Sequence, residues 1–215
     1  MKVGILGSGI VGQVLAKAFA SEGHDVTLGT RNTSKEDVVK FKNANPGTHI
    51  GSFADTAAFG ELIVLAVAGS AVGEVINLSL KNNFKNKIVI DATNPIASAP
   101  PVNGVLQFFT GADESLMEKI QKIIPDAKIV KAFNSVGNAF MYKPNFKDGK
   151  PTMFICGNDD NAKKTVTDIL TSFGWETEDM GKVESARAIE PLCILWCIPG
   201  FTRNQWAHAF KLLKA

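Results

Sequence analysis

From the N-terminus to Asn134, short continuous apolar runs alternate with longer stretches whose apolar residues recur at helical spacing. Lys2 to Leu6, Asp25 to Leu28, His49 to Phe53, Leu62 to Val67, Lys87 to Asp91 and Ile129 to Phe133 read as strands. Their continuous apolar character predicts burial on both faces, the signature of a parallel sheet covered by helices. Between them, Gly9 to Glu22 carries Val11, Val14, Leu15, Ala18 and Phe19 on one helical face. Ser34 to Asn43, Ala71 to Leu80 and Ser115 to Ile124 follow the same period. The alternation predicts a doubly wound α/β fold.

After Asn134 the pattern changes. Tyr142 to Lys150 is a polar loop, Thr152 to Cys156 a strand, Asp160 to Phe173 a helix, and Trp175 to Glu178 a short strand. Val183 to Lys214 reads as helical with an interruption at Pro199-Gly200, a small C-terminal helical lobe. Composition narrows the function. Lys+Arg 23 against Asp+Glu 21 gives a net charge of +2, without the basic excess of a nucleic-acid or membrane-surface binder. Three cysteines make no disulfide framework, and the longest apolar stretch, Leu62 to Ala68, is too short to span a bilayer. The N-terminus lacks the features of a signal peptide, so a soluble cytoplasmic protein is expected.

Gly7-Ser8-Gly9-Ile10-Val11-Gly12 matches G-x-G-x-x-G at the junction of the first strand and the first helix. There Gly7 serves the tight turn, Gly9 the approach of a pyrophosphate, and Gly12 close helix–strand packing. The positive end of the helix dipole faces the same anion. The fold expectation becomes a Rossmann-type doubly wound sheet. At the end of the second strand, where NAD-binding folds keep an acidic residue for the ribose 2′-hydroxyl, this chain has Thr30-Arg31-Asn32-Thr33-Ser34-Lys35. Arg31 and Lys35 with the neutral donors Thr30 and Asn32 complement a 2′-phosphate, which predicts NADPH over NADH.

Two more strand ends point to the same pocket. Val67-Ala68 after the fourth strand permits close approach of the coenzyme, and Asn94-Pro95 after the fifth is placed to meet its nicotinamide side. By the same logic Phe133-Asn134 would lie over the nicotinamide. Residues 1–180 are thus expected to form the NADP-binding domain, and 181–215 to complete an acceptor site or a dimer interface. His24, His49 and His208 stand apart from other metal-ligating residues, so no metal site is expected. Cys193 and Cys197 share a face of an apolar helix and read as core. Trp196, Phe201 and Trp206 read as core or dimer contacts, with a stacking surface for an acceptor ring as the alternative. Arg187 and Glu190 are spaced to pair with each other. The apolar stretch Pro191 to Phe210 predicts a homodimer.

These segments resemble the NADPH-dependent reductases of the 5-deazaflavin coenzyme F-420 and the oxidoreductase domain of the six-transmembrane epithelial antigen metalloreductases. The likeness rests on Gly7-Ser8-Gly9 through Gly29-Thr30-Arg31-Asn32, Asp91 to Pro95, and Lys131-Ala132-Phe133-Asn134. Glu184-Ser185-Ala186-Arg187 and Glu190-Pro191-Leu192 extend it towards the C-terminus. The resemblance implies hydride transfer between NADP(H) and a second planar ring, a deazaflavin, FMN or FAD. It places Gly7, Ser8, Ile10 and Val11 on the pyrophosphate, and Thr30, Arg31 and Lys35 on the 2′-phosphate. Val67, Ala68 and Asn134 would line the nicotinamide half. No catalytic side chain is assigned, since direct hydride transfer needs no nucleophile. With no spanning segment in the sequence, a membrane metalloreductase is not expected. Two other readings stay open: an imine or carbonyl reductase of the pyrroline-carboxylate type, and a non-catalytic NADP(H)-sensing protein.

Overall fold

The computed structural model describes residues 1–215. Strands β1 (Lys2–Leu6), β2 (Asp25–Gly29), β3 (Thr48–Gly51), β4 (Leu62–Leu65), β5 (Ile88–Asp91), β6 (Lys128–Lys131), β7 (Thr152–Gly157) and β8 (Glu176–Asp179) form one sheet. Its order is β3-β2-β1-β4-β5-β6-β7-β8. The first six strands are parallel, β7 runs antiparallel to β6, and β8 is parallel to β7. Helices are α1 (Ile10–Ser21), α2 (Glu36–Ala44), α3 (Phe53–Phe59), α4 (Val72–Leu78), α5 (Leu116–Ile123), α6 (Asp160–Ser172), α7 (Ala186–Ile189) and α8 (Leu192–Arg203).

Apolar runs fill both faces because successive side chains point opposite ways. Leu62 and Val64 of β4, with Val3 and Ile5 of β1, pack into a core with Leu15 and Phe19 of α1 and Val166 of α6. Ile63 and Leu65 enter a second core with Phe53, Ile76, Met117 and Ile120 from α3, α4 and α5. The strand order reverses between β1 and β4, and open α/β sheets bind ligands beside such a switch point at the strands' carboxyl ends.

Two elements depart from expectation. Helix α3 was not expected between β3 and β4. It begins at a polar start signal: Ser52 Oγ accepts from the Asp55 amide at 3.1 Å and donates to Asp55 Oδ2 at 2.6 Å. The C-terminal stretch differs the other way. Helix α8 continues through Pro199-Gly200 and stops at Asn204, whose left-handed φ of 52° lets its amide reach the Gly200 carbonyl at 2.9 Å. Residues 204–215 are not helical but a strap. Trp206 packs on Trp196, the Phe210 carbonyl accepts from the Thr152 amide at 2.8 Å, and Lys211 Nζ donates to the Lys150 carbonyl at 2.9 Å.

Candidate functional site

The turn between β1 and α1 depends on two glycines for separate reasons. Gly7 adopts φ +127°, a region L side chains rarely enter, and a Cβ there would stand 2.2 Å from the Ala66 carbonyl oxygen. Gly12 lets α1 settle onto the turn, since a Cβ on it would meet the Gly7 carbonyl oxygen at 1.8 Å. A Cβ on Gly9 would meet nothing within 4 Å, so this backbone faces open space. Gly9 is also the N-cap of α1 and brings no side chain to it, leaving the first-turn N–H groups free for an external acceptor.

The turn after β2 is tied to this loop by hydroxyls. Ser8 Oγ donates to Thr30 Oγ1 at 3.0 Å, and the Asn32 amide donates to the same Thr30 oxygen at 3.3 Å. Asn32 Oδ1 accepts from the Ser34 amide at 2.9 Å, and Gln13 Nε2 donates to the Ser8 carbonyl at 3.0 Å. Above the bonded turn stand the two cations. Arg31 Nη2 lies 2.9 Å from Glu74 Oε2, and Lys35 Nζ lies 2.8 Å from Asp37 Oδ2. The lysine's hydrogen bond holds the Asp37 carboxyl below its usual range.

One cleft of about 430 Å³ collects Gly7, Ser8, Gly9, Thr30, Arg31, Asn32, Lys35, Val67 and Ala68. Phe53, Ala66, Ala71 and Val75 complete its walls. None of those four was singled out in the sequence. Phe53 arrives with the unexpected α3, and the pattern that marks it is the Ser52-x-x-Asp55 helix start. Ile10 and Val11 sit in the first turn of α1, Ile10 exposed and Val11 packed against the core.

The remaining sequence-predicted residues form a second cluster, outside that cleft. Asn94 Nδ2 donates to the Asn134 carbonyl at 2.7 Å, joining the turns after β5 and β6. Asn134 Nδ2 donates to the Ile189 carbonyl at 2.9 Å, so the C-terminal segment grips the same turn. The Asn134 Oδ1 is buried and has no partner. Pro95 is buried, and its carbonyl accepts from the Phe109 amide at 2.9 Å. Phe133 requires a correction. Its ring does not cover the nicotinamide side but is buried in the core, 6.0 Å from the Phe173 ring. The φ of 63° at Phe133, unusual for a bulky residue, ends the extended run and carries the chain into Asn134.

Beneath this cluster lies a fully buried ion-pair network. Lys131 Nζ is 2.7 Å from Asp91 Oδ2, 2.8 Å from Glu190 Oε1 and 2.9 Å from the Thr93 carbonyl. Asp91 Oδ1 accepts from the Thr93 amide and hydroxyl, at 2.9 and 2.7 Å. The Glu190 carboxylate also accepts from the Leu116 and Met117 amides at 2.9 and 3.0 Å, where α5 begins. Burial alone would lower the Lys131 pKa, but Asp91 and Glu190 outweigh it and hold the ammonium above its ordinary value. Glu190 is therefore not paired with Arg187. The Arg187 fork instead grips Glu118, with Nε 3.0 Å from Oε2 and Nη2 2.6 Å from Oε1.

The C-terminal aromatics pack on their own strap. The Trp196 and His208 rings stack at 5.0 Å, Trp196 Nε1 donates to the His208 carbonyl, and Phe201 meets Trp206 edge-on. His208 thus sits in the strap and not in a terminal helix. Cys193 is buried, Cys197 half-buried, and burial pushes the Cys156 thiol up to about 12.

The donor set suits a dinucleotide phosphate. Free helical N–H groups and a glycine-lined opening lie beside hydroxyls and two cations, and an orphaned amide oxygen waits two strands away. A family model described as NADP oxidoreductase, coenzyme F420-dependent, matches residues 2–95. The F420-dependent NADP reductase of Methanocaldococcus jannaschii is 27% identical over 202 residues, covering 89% of each chain. Metalloreductase STEAP3 of Rattus norvegicus is 30% identical over 203 residues, 92% of this chain but only 38% of that protein. A solved structure of a candidate F420-dependent NADP reductase from Arthrobacter sp. FB24 superposes with a TM-score of 0.93, at 30% identity and with full coverage of both chains. An imine reductase from Streptomyces aurantiacus shares the fold at 14% identity and TM-score 0.66, covering 94% of this chain and 63% of that one. No helix of the chain is long and apolar enough to cross a membrane. The glycine loop, the cationic turn bonded to it and the full-length likeness converge: the chain belongs to the coenzyme F420-dependent NADP oxidoreductase family and is an NADP-dependent oxidoreductase.

Proposed function

We propose that the protein moves a hydride between NADPH and a planar deazaflavin or flavin-like ring. The observation that carries the coenzyme half is the Ser8–Thr30 hydrogen bond, which fuses the anion-binding loop to the cationic turn in one cleft. The first-turn amides of α1 would take the pyrophosphate, and Thr30, Arg31, Asn32 and Lys35 the 2′-phosphate. Val67 and Ala68 would let the dinucleotide lie close against the end of β4. The buried Asn134 Oδ1, left without a donor, would accept the nicotinamide carboxamide, with Asn94 fixing the turn that holds it. Bound NADPH supplies the hydride. The chain's own work is to align the two rings and exclude water.

The acceptor half is supported by two relatives, both named as F420-dependent NADP reductases. The stretch from Ala92 to Ser115, leaving the carboxyl end of β5, exposes Ile96, Val102 and Phe109, apolar side chains of the kind a planar ring stacks on. The test is loss of NADPH absorbance with F-420, FMN, FAD and a cyclic imine offered separately. Turnover with F-420 or a flavin is expected. Turnover with the imine alone, or binding of NADPH with no acceptor consumed, would contradict the proposal.

A further inference from the structure

The two walls of the coenzyme cleft are joined by a single ion pair. Arg31 rises from the turn after β2, and Glu74 from the first turn of α4 on the opposite side. Ala71 and Val75, on either side of Glu74 in the chain, line the cleft, so the pair spans its mouth. Both side chains are more than half exposed, at 56% and 59%. An ion pair this open contributes little to folding. Its effect falls on whatever else seeks the guanidinium. Only Nη2 is engaged, and the remaining N–H donors of the fork have no partner.

We propose that Glu74 is an internal anion that competes with the 2′-phosphate for Arg31, and so limits how tightly and how long the phosphorylated coenzyme is held. The inference rests on the NADP(H) reading of this cleft. A 2′-phosphate brings nearly two negative charges and three acceptor oxygens to the fork, and it outbids one carboxylate. The displaced Glu74 then stands as a like charge at the same opening, well inside the screening distance of about 10 Å at ordinary ionic strength. An unphosphorylated dinucleotide presents a neutral hydroxyl at this position and leaves the ion pair intact. Glu74 therefore acts on one coenzyme and not the other. Lys35 meets its own carboxylate, Asp37, from within one turn, so that pair does not cross the cleft.

The test is calorimetry of NADPH and NADH binding to the wild type, Glu74→Gln, Arg31→Ala and the double variant, at low and high ionic strength. Glu74→Gln is expected to tighten NADPH by about two- to tenfold and NADH by less than about twofold. The gain should shrink with salt, vanish in the Arg31→Ala background, and be matched by slower NADP release in stopped flow. Weaker NADPH binding in Glu74→Gln, an equal change for both coenzymes, or a gain that survives without Arg31 would overturn the proposal. If the wild type itself shows no preference for NADPH, the coenzyme reading fails first and takes this inference with it.

Discussion

Lys131 sits at the end of an apolar strand, where a charge is costly unless it is fully paired. Two carboxylates and a carbonyl meet it, and one of those carboxylates also receives the opening amides of α5. The three buried charges sum to −1, so losing Lys131 strands two carboxylates. Glu190→Gln keeps the Lys131–Asp91 pair and costs hydrogen bonds, its NH2 facing either the ammonium or an α5 amide. Lys131→Met is expected to lower stability by roughly 3–5 kcal/mol in urea unfolding, and Glu190→Gln by about 1–3 kcal/mol. The double variant should cost less than the sum of the single changes, because the two residues share one network, though Asp91 is left without its cation. A loss within about 0.5 kcal/mol for Glu190→Gln would show that the network carries no such weight. The sequence displayed Lys131 and Glu190 only as members of two separate short motifs. Their partnership spans 59 positions and could not be read from spacing, whereas Arg187 and Glu190, three apart, suggested a pair that the fold does not make.

At the scale of elements, what repeats locally was readable and what depends on distant partners was not. The strands showed themselves because burial on both faces leaves continuous apolar runs, as Leu62 to Leu65 does. Helix α3 was hidden, since Phe53–Phe59 is short and mixes Ala, Thr and Asp with two aromatics. The strap from Asn204 reads as helical by composition. It is not helical because Trp196 on α8 and the distant Thr152 and Glu176 supply its partners instead of its own backbone. The glycine loop and the cationic turn stood out as contiguous motifs, and the fold brings them into one cleft. Phe133 was misplaced because a left-handed φ at a bulky residue turns its ring into the core, and no sequence pattern signals that. The docking of α7 onto α5 offers a pH test. Arg187, chiefly through its hydrogen bonds, lowers the Glu118 pKa from 4.5 to about 2. A carboxylate depressed by folding stabilises above its unfolded pKa, and that contribution fades as pH falls from about 4.5 towards 2. The wild type should therefore melt above Arg187→Ala at neutral pH, and the gap should close across that window. A gap that stays constant down to pH 2 would contradict the pairing.

At the scale of the molecule, the sheet's order reversal opens a crevice at the carboxyl ends of β1 and β4, and loops after three strands line it. Loops after β1, β2 and β4 meet in the cleft, while those after β5 and β6 are locked to the C-terminal segment by Asn134 and Glu190. On the proposed reading, the protein holds one half of its coenzyme through the glycine loop and the other through the asparagines. Its preference for the phosphorylated form then reduces to the cationic turn. The most direct measurement is the ratio of NADH to NADPH dissociation constants for the wild type and Arg31→Ala. A wild-type ratio well above one is predicted, with NADPH binding falling about ten- to a hundredfold in the variant while NADH changes little. Equal loss of both coenzymes, or a wild type that favours NADH, would contradict it.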